Sequence, residues 1–338
     1  MANYTDAILA KAQAKIQSKF GAPEKRLKAN GAFTPFARNT QFTIPEIEQM
    51  RVSNQRPIEV NFLKRTVRSV GSAREHDHAG NQGDSGKVNL SWNTYQDKAS
   101  TSLKLSENLI FTNEDIVANE IENMLKNIAI ATHADALSFL DTNKTGVNAA
   151  TVNGSFNGTN DVFEILGADA DLYFQFGESM LMQNYYNGGF EVIADPKLYA
   201  KAIRQGAQGA GNQTNYGYQL QNAMLNQAIG LADANYTAGV SYFIPEGTIG
   251  AVDWTEPKNR QNWGDIESYV GGFRTIRNPF LNNILCNLHA YVARADNSGA
   301  GGDAQDVKIF WEISADIALV KAPLSVTDET TIFSVGQL

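Results

Sequence analysis

TNEDIVANEIENMLKNIAIATHADALSFLDTN, residues 112–143, is the stretch of this sequence that decides the fold. Apolar residues recur in it at helical spacing from Val117 to Leu140. Thr112 and Asp115 stand at capping-box spacing at its start, with Asp in place of the usual Glu or Gln. The pattern predicts a helix of about thirty residues. At ~1.5 Å per residue it would be on the order of 40 Å long, enough to run the length of a domain.

Two strand-like runs precede this helix. Ile58–Phe62 and Val88–Trp92 alternate apolar and polar residues, which predicts an antiparallel β-hairpin. The connection from Gly71 to Gly86, GSAREHDHAGNQGDSG, is far longer than the two to five residues of a tight hairpin turn. We interpret it as a protruding loop that contacts another molecule.

The first fifty or so residues read as an arm rather than as a domain core. The pattern from Thr5 to Phe20 predicts a short amphipathic helix, with lysines every four residues on one face and apolar residues on another. Turn residues then interrupt the chain. An arm of this kind needs neighbours to hold it, so we predict intersubunit contacts through Ile8, Ile16 and Phe20.

The chain after the long helix predicts an α/β unit and then a sheet. A helix over Ala168–Tyr186, a buried strand over Phe190–Pro196 and a helix over Lys197–Gln205 alternate in the manner of an α/β unit. Alternating apolar and polar residues at 284–292 and 307–320 predict strands that close the chain in a sheet.

Composition limits the class of protein. With 338 residues, the chain exceeds one ordinary domain, and 43% hydrophobic with 19% charged residues is a globular balance. A net charge of −8 argues against wholesale nucleic-acid binding, which needs clustered Lys and Arg. A single cysteine, Cys286, excludes a disulfide framework and a Cys-based zinc site. The sequence has no run of 18 apolar residues, so we expect no membrane partner.

Basic residues gather on the first arm of the predicted hairpin. They are Lys64, Arg65, Arg68 and Arg74. Two interpretations stay open: a solvated strand face, or an electrostatic contact with an acidic patch on the next subunit.

Residue patterns that suggest chemistry have plainer explanations. Glu75–His78 in the loop tip reads EHDH and has metal-binding residue types, but a glycine-rich tip offers no rigid second shell, so a solvated or contact role competes with a metal site. Cys286 and His289 would lie on opposite faces of a strand and cannot form a catalytic pair. His133 on the long helix is interpreted as a satisfied packing or surface residue. We therefore predict no catalytic residues, no bound metal and no cofactor.

The order of these parts resembles the major capsid proteins of tailed bacteriophages, which have the Hong Kong 97-type fold. The local sequences most similar to that family are FEVIADPKLYAKAI at Phe190–Ile203 and WEISADIALVKAPLSV at Trp311–Val326. The resemblance covers nearly the whole chain and implies an α+β fold. Its implied parts are an N-terminal arm (1–54), an extended β-hairpin loop (55–106), a peripheral domain (107–184) with a spine helix (112–143), an α/β axial domain (185–278) and the returning strands of the peripheral domain (279–338).

The resemblance also implies a function. Such a protein is not an enzyme; it self-assembles into the hexamers and pentamers of an icosahedral head that encloses double-stranded DNA. It would be located in the virion, after assembly in the host bacterial cytoplasm. Its implied partners are itself, a portal, decoration proteins and packaged DNA contacted weakly on the inner face. Because only a short arm precedes the hairpin, a separate scaffolding protein is also expected.

Three alternatives remain from the sequence. An encapsulin-like compartment shell has the same fold and packages cargo enzymes instead of DNA. Another virion part, such as a tail tube or sheath protein, is a second alternative, although the long helix argues against a mainly β tube. An enzyme is the third, and no pair of acidic residues stands out to support it.

Overall fold

The computed structural model describes residues 6–20, 31–38, 47–63, 71, 85–102, 112–144, 155–183, 186, 188–201, 223–237, 239–266, 268–295, 306–322 and 332–338. The helices in these ranges are α1 (Asp6–Phe20), α2 (Thr34–Arg38), α3 (Ile47–Arg51), α4 (Asn113–Asn143), α5 (Tyr173–Gln183), α6 (196–201) and α7 (Pro257–Arg260), with a 3₁₀ helix at Gly167–Leu172. The strands are β1 (Glu59–Leu63), β2 (Ser85–Asn89), β3 (Trp92–Ser102), β4 (Ser155–Asn157), β5 (Val162–Ile165), β6 (Phe190–Ala194), β7 (Ala223–Gln227), β8 (Val240–Pro245), β9 (Ile249–Trp254), β10 (Gly272–Asn278), β11 (Ile284–Ala295), β12 (Asp306–Lys321) and β13 (Phe333–Gln337).

These strands form three sheets. β1 and β2 pair antiparallel as a two-stranded sheet. A five-stranded sheet has the order β10-β11-β12-β3, and β9 pairs with the far end of β12. A six-stranded sheet has the order β4-β5-β13-β8-β6-β7. The mixed α+β class predicted from the sequence is therefore confirmed.

The long helix α4 packs along the five-stranded sheet. Its predicted apolar face is buried, with Ile121 and Leu125 at 0% exposure. Ile309 and Ile313 on β12 are equally buried in the same core. Full burial of each such side chain contributes about 1.5–3 kcal/mol. Asn278 on β10 also donates a hydrogen bond to the carbonyl of Leu125 at 3.0 Å, so side-chain packing and a buried polar contact together fix the helix on the sheet.

The predicted capping box at the start of α4 is present. The Asp115 amide donates to Thr112 Oγ1 at 3.3 Å, and the Thr112 amide donates to Asp115 Oδ2 at 3.2 Å. Each bond satisfies a backbone donor that the helix itself leaves without an acceptor.

Replacing Thr112 with alanine should lower the free energy of unfolding by about 1 kcal/mol, because one half of the capping box is lost. Urea unfolding followed by circular dichroism measures the change. Thr142→Ala is the matched control. Thr142 bonds only to the carbonyl of Ser138, one turn back at the exposed end of the same helix, so its loss should change stability by less than about 0.5 kcal/mol. Equal losses of unfolding free energy in the two variants would mean that the capping box stabilises the helix no more than an ordinary exposed hydroxyl does.

The six-stranded sheet and its helices contain the predicted α/β unit. Every residue of β6 and of β8 is buried. The helix predicted from Ala168 begins later, because Gly167–Leu172 forms a 3₁₀ turn and α5 starts at Tyr173. That turn has the sequence GADADL, and Gly and Asp are poor residues for an α-helix interior.

The sheets do not follow the predicted domain boundaries. β9 and β10 lie inside the range predicted as axial domain, 185–278, yet they belong to the five-stranded sheet. β4, β5 and β13 were expected in the peripheral domain, 107–184 and 279–338, yet they belong to the six-stranded sheet. The predicted domain boundaries stay a prediction, and the sheets are what the structure describes. Alternation identifies a strand, but its partner depends on contacts that are remote in sequence.

Among the described residues, no helix is both long enough and apolar enough to cross a bilayer.

Candidate interaction site

The predicted hairpin is formed by β1 and β2. Val60 lies opposite Val88, and Lys87 Nζ on β2 pairs with Glu59 Oε1 on β1 at 2.5 Å. The loop tip lies outside the described residues. So do the predicted contact residues Lys64, Arg65, Arg68 and Arg74 and the EHDH stretch at 75–78.

A set of polar contacts attaches the base of this hairpin to the five-stranded sheet, and we call it the hairpin socket (residues 51–57 with their partners on the sheet). At its centre, Arg56 Nη2 donates to Asp316 Oδ1 at 2.6 Å. Thr94 Oγ1 donates to the same oxygen at 2.6 Å, and Asn287 Nδ2 donates to Asp316 Oδ2 at 3.3 Å. The Asp316 side chain is only 2% exposed, so these donors replace its lost hydration.

Backbone carbonyls of the same segment are held as well. Trp92 Nε1 donates to the Pro57 carbonyl at 2.7 Å. Trp254 Nε1 donates to the Ser53 carbonyl at 3.1 Å, and Arg260 Nη2 donates to the same carbonyl at 2.7 Å. Rigid tryptophan side chains and a guanidinium therefore define the path of the chain into β1.

A second ion pair and a small apolar core complete the socket. Arg51 Nε on α3 donates to Asp253 Oδ1 on β9 at 2.6 Å. Ile47 and Met50 on the same helix are buried against Val252. The hairpin base is thus fixed to the five-stranded sheet. On β12 it contacts Asp316 and Ala318, which lie on the outer face, opposite the face of Ile313 and Ile317 that packs in one core with α4.

The sequence analysis missed the socket. Asp316 lies in an alternating run that correctly predicted a strand, and nothing in the run marks its carboxylate as buried. Its partner Arg56 is 260 positions away, a pairing that periodicity does not reveal.

The apolar face of the arm helix α1 is buried against α4 of its own chain. Ile16 is 3% exposed, Leu9 is also buried, and Ile8 packs partly buried on the same core. The expectation that this helix needs a neighbour to bury its apolar face is therefore wrong. The intersubunit contacts of Ile8, Ile16 and Phe20 stay a prediction, and the Phe20 side chain lies outside what the structure describes.

Two lysines of α1 face the acidic first turn of α4. Lys11 Nζ lies 3.4 Å from Glu114 Oε1, and Lys15 pairs closely with Asp115. The Lys15 ammonium, with help from Thr112, lowers the pKa of Asp115 to about 2. Because folding lowers this pKa, the ionised carboxylate stabilises the folded state at pH values above the ordinary carboxyl pKa. That stabilisation is lost as the pH falls towards 2.

Residues 31–38, which we call the arm strap, lie between α4 and the six-stranded sheet. Phe33 and Phe36 are buried, and the Phe36 ring meets Phe139 of α4 edge-on at 5.6 Å between centroids. The Phe33 amide donates to His133 Nδ1 on α4 at 3.2 Å. The middle of the strap is thus bonded to the long helix.

Both ends of the strap reach the six-stranded sheet. The Gly31 amide donates to the Gln227 carbonyl on β7 at 2.8 Å. Arg38 Nη1 lies 3.0 Å and 3.2 Å from the two carboxylate oxygens of Glu191 on β6, and Asn226 Nδ2 donates to Glu191 at 2.6 Å. Burial raises the pKa of the Glu191 carboxyl even though the Arg38 charge opposes the shift.

The described residues offer no evident catalytic or metal centre. No group of three or more His, Cys, Asp or Glu side chains among them could hold a metal ion. Burial raises the pKa of the Cys286 thiol to about 12, so it is not a thiolate nucleophile. His289 lies on the other face of β11, as predicted, and stacks on Phe273 at 4.4 Å. His133 differs from expectation, because it is buried and its Nε2 has no partner in the described part of the chain.

The described fold is similar to that of a solved cyanophage capsid structure. The chain is similar to the cyanophage A-1(L) capsid asymmetric unit, with a TM-score of 0.53 and 11% identity over 92% of this chain and 93% of that one. It is also similar to structures from Mycobacterium phage Che8 (TM-score 0.47, 11% identity, 90% of each chain) and from the capsid of a native GTA particle (TM-score 0.43, 14% identity, 88% and 90%). No protein-family model and no curated protein matches the chain. At 11% identity, the likeness to the cyanophage capsid establishes the fold alone.

Proposed function

We propose that this chain is a major capsid protein, a structural protein that assembles into the hexamers and pentamers of an icosahedral phage head around double-stranded DNA. The observation that carries the proposal is the fold shared with the cyanophage A-1(L) capsid over 92% of the chain. A shell protein needs surfaces rather than a catalytic pocket. The hairpin socket is a polar site among the described residues, and its contacts position a hairpin.

The proposal includes a Hong Kong 97-type division of the chain. The five-stranded sheet with α4 as spine helix would be the peripheral domain, and the six-stranded sheet with α5 and α6 would be the axial domain. The β1–β2 hairpin would be the extended loop, and residues 1–54 the N-terminal arm. Support comes from the packing, since α4 packs along β3 and β12 of the five-stranded sheet and α5 shares a separate apolar core with β5, β6, β8 and β13.

The hairpin is the part proposed to contact an adjacent subunit. A two-stranded sheet alone is marginally stable, and the socket fixes its base but not its outer end. The basic cluster Lys64, Arg65, Arg68 and Arg74 lies just beyond β1, and the chain has a net charge of −8. We propose that these charges meet an acidic surface of the next subunit.

The remaining partners follow from the same proposal. A scaffolding protein would guide assembly, a portal would occupy one vertex, and decoration proteins would bind outside. DNA would be contacted weakly on the inner face, as suits an acidic chain. The protein would act in the virion after assembly in the host bacterial cytoplasm, with no chemistry of its own.

Negative-stain electron microscopy of the protein, expressed alone and with its genomic neighbours, tests the function. Closed polyhedral shells or sheets of capsomers are expected. A monodisperse monomer in both preparations would refute a shell-forming role. DNA-free shells loaded with a co-expressed enzyme would instead identify a cargo compartment.

A tip-replacement variant tests the role of the hairpin. Leu63 and Ser85 are directly paired across the two strands, so residues 64–84 can be replaced with Asn-Gly, the preferred two-residue turn. We expect a folded protein that forms no shells, because the contact region is gone while the socket is intact. A companion variant with Lys64, Arg65, Arg68 and Arg74 all changed to Gln keeps the loop length. Normal shells from both variants would exclude the hairpin tip from assembly.

A further inference from the structure

The arm strap depends on one histidine nitrogen that accepts a hydrogen bond. Because the Phe33 amide donates to His133 Nδ1, the ring must be neutral and must hold its proton on Nε2. The Phe33 and His133 rings also meet edge-on at 6.1 Å. His133 is 5% exposed, and its Nε2 is buried with no hydrogen-bond partner among the residues that the structure describes. The described part of the site therefore accepts the neutral ring and offers no acceptor for a second ring proton.

We propose that the arm strap, residues 31–38, is a proton-sensitive latch. When His133 takes up a proton, Nδ1 becomes a donor that faces the Phe33 amide donor, and a buried positive charge is left without a partner. The strap then leaves α4, while the two larger sheets stay folded.

Charged groups on the surrounding elements do not offset this effect. On the strap, Arg38 is engaged by Glu191 of β6. On α4, Asp135 points to β3, where it accepts a hydrogen bond from Tyr95 at 2.8 Å. On β9, which also packs on the strap, Asp253 is engaged by Arg51. Each nearby carboxylate thus has its own partner, and burial alone lowers the pKa of His133 to about 4.

The direction of the pH effect follows from proton binding. The docked strap favours neutral His133, whereas the released strap leaves a histidine with its ordinary pKa of ~6.5. Docking is therefore fully stabilised above that value and weakens as the pH falls from 6.5 towards 4. The opening constant should rise about tenfold per pH unit in that window, on the order of 50- to 100-fold between pH 7.5 and pH 4.5.

Hydrogen–deuterium exchange of the full chain, corrected for the intrinsic pH dependence of exchange, tests the latch. The reporters are the amides of Gly31, Phe33 and Ala37, each of which donates a hydrogen bond in the docked state. Their protection should fall about tenfold per pH unit below pH 6.5, while protection of β8 and β12 stays constant. The carbon-bound ring protons of His133, followed by NMR, should titrate near pH 4, because the docked form is the populated one.

Two variants separate the latch from a general acid effect. His133→Asn keeps an acceptor at the position of Nδ1 but cannot take up a proton, so the strap should lose its pH dependence. His289→Asn removes a histidine from the outer sheet face and should keep the wild-type slope. The proposal is overturned if His133→Asn shows the wild-type slope, or if β8 and β12 lose protection together with the strap.

Discussion

Replacing Arg56 with methionine should lower the free energy of unfolding by about 3 kcal/mol. The change removes the cation that faces Asp316, whose side chain is 2% exposed, and leaves the carboxylate with Thr94 and Asn287 as its donors among the described residues. Removing one partner of a buried ion pair costs ~3–5 kcal/mol, and the two remaining donors together with the 38% exposure of Arg56 place the loss at the lower end. Urea unfolding, with the slope checked for two-state behaviour, gives the value.

The matched control is Lys87→Met in the hairpin itself. Lys87 and Glu59 also form an ion pair, but their side chains are 62% and 41% exposed. Exposed pairs contribute ~0–1 kcal/mol, so this variant should unfold almost as the wild type does. A loss from Arg56→Met no larger than that from Lys87→Met would mean that water reaches Asp316 and that the socket is not a dry site.

Replacing Gly177 with alanine should destabilise the protein by about 2 kcal/mol, although alanine is normally the better helix residue. Gly177 lies inside α5, and a Cβ there would collide with three ring carbons of Phe243. Phe243 is fully buried among Tyr173, Phe174 and Phe190, so its ring cannot move aside. Overpacking of this kind costs ~1–3 kcal/mol or more, which outweighs the ~1 kcal/mol gain in helix propensity.

Gly158→Ala provides the comparison for that experiment. A Cβ at Gly158 would meet nothing within 4 Å, so the change should be close to neutral. Both variants are measured by urea unfolding. If Gly177→Ala proved stabilising, the aromatic core around Phe243 would have to be loosely packed, contrary to the ring contacts described above.

Local patterns in the sequence predicted the elements of this fold well. The helix from Thr112 shows both halves of its predicted capping box, and the alternation at 284–292 and 307–320 predicted β11 and β12. These features depend on residues close together in the chain. The alternation of apolar and polar residues could not assign strands to sheets, because pairing depends on contacts remote in sequence. β13 follows β12 in the chain but pairs with β5 and β8 in the other large sheet.

The candidate site was harder to predict than the fold. The basic cluster was identified by charge, but Asp316 and Glu191 look like ordinary acidic residues in sequence and become critical only because folding buries them beside an arginine. The arm was read as dependent on neighbours because its apolar residues had no visible partner nearby. Their partners lie on α4, about a hundred residues further along the chain, and no periodicity within the arm identifies them.

The position of β13 also bears on how the six-stranded sheet closes. Val335 lies between Phe163 of β5 and Ser241 of β8, so the sheet is continuous only once β13, which follows both partners in the chain, has joined it. Until then, β5 and β8 present unpaired strand edges to the cell, the kind of surface on which nascent chains aggregate. Closure of the sheet therefore depends on a strand that comes after both of its partners in the chain, and displacement of β13 would expose two aggregation-prone edges at once.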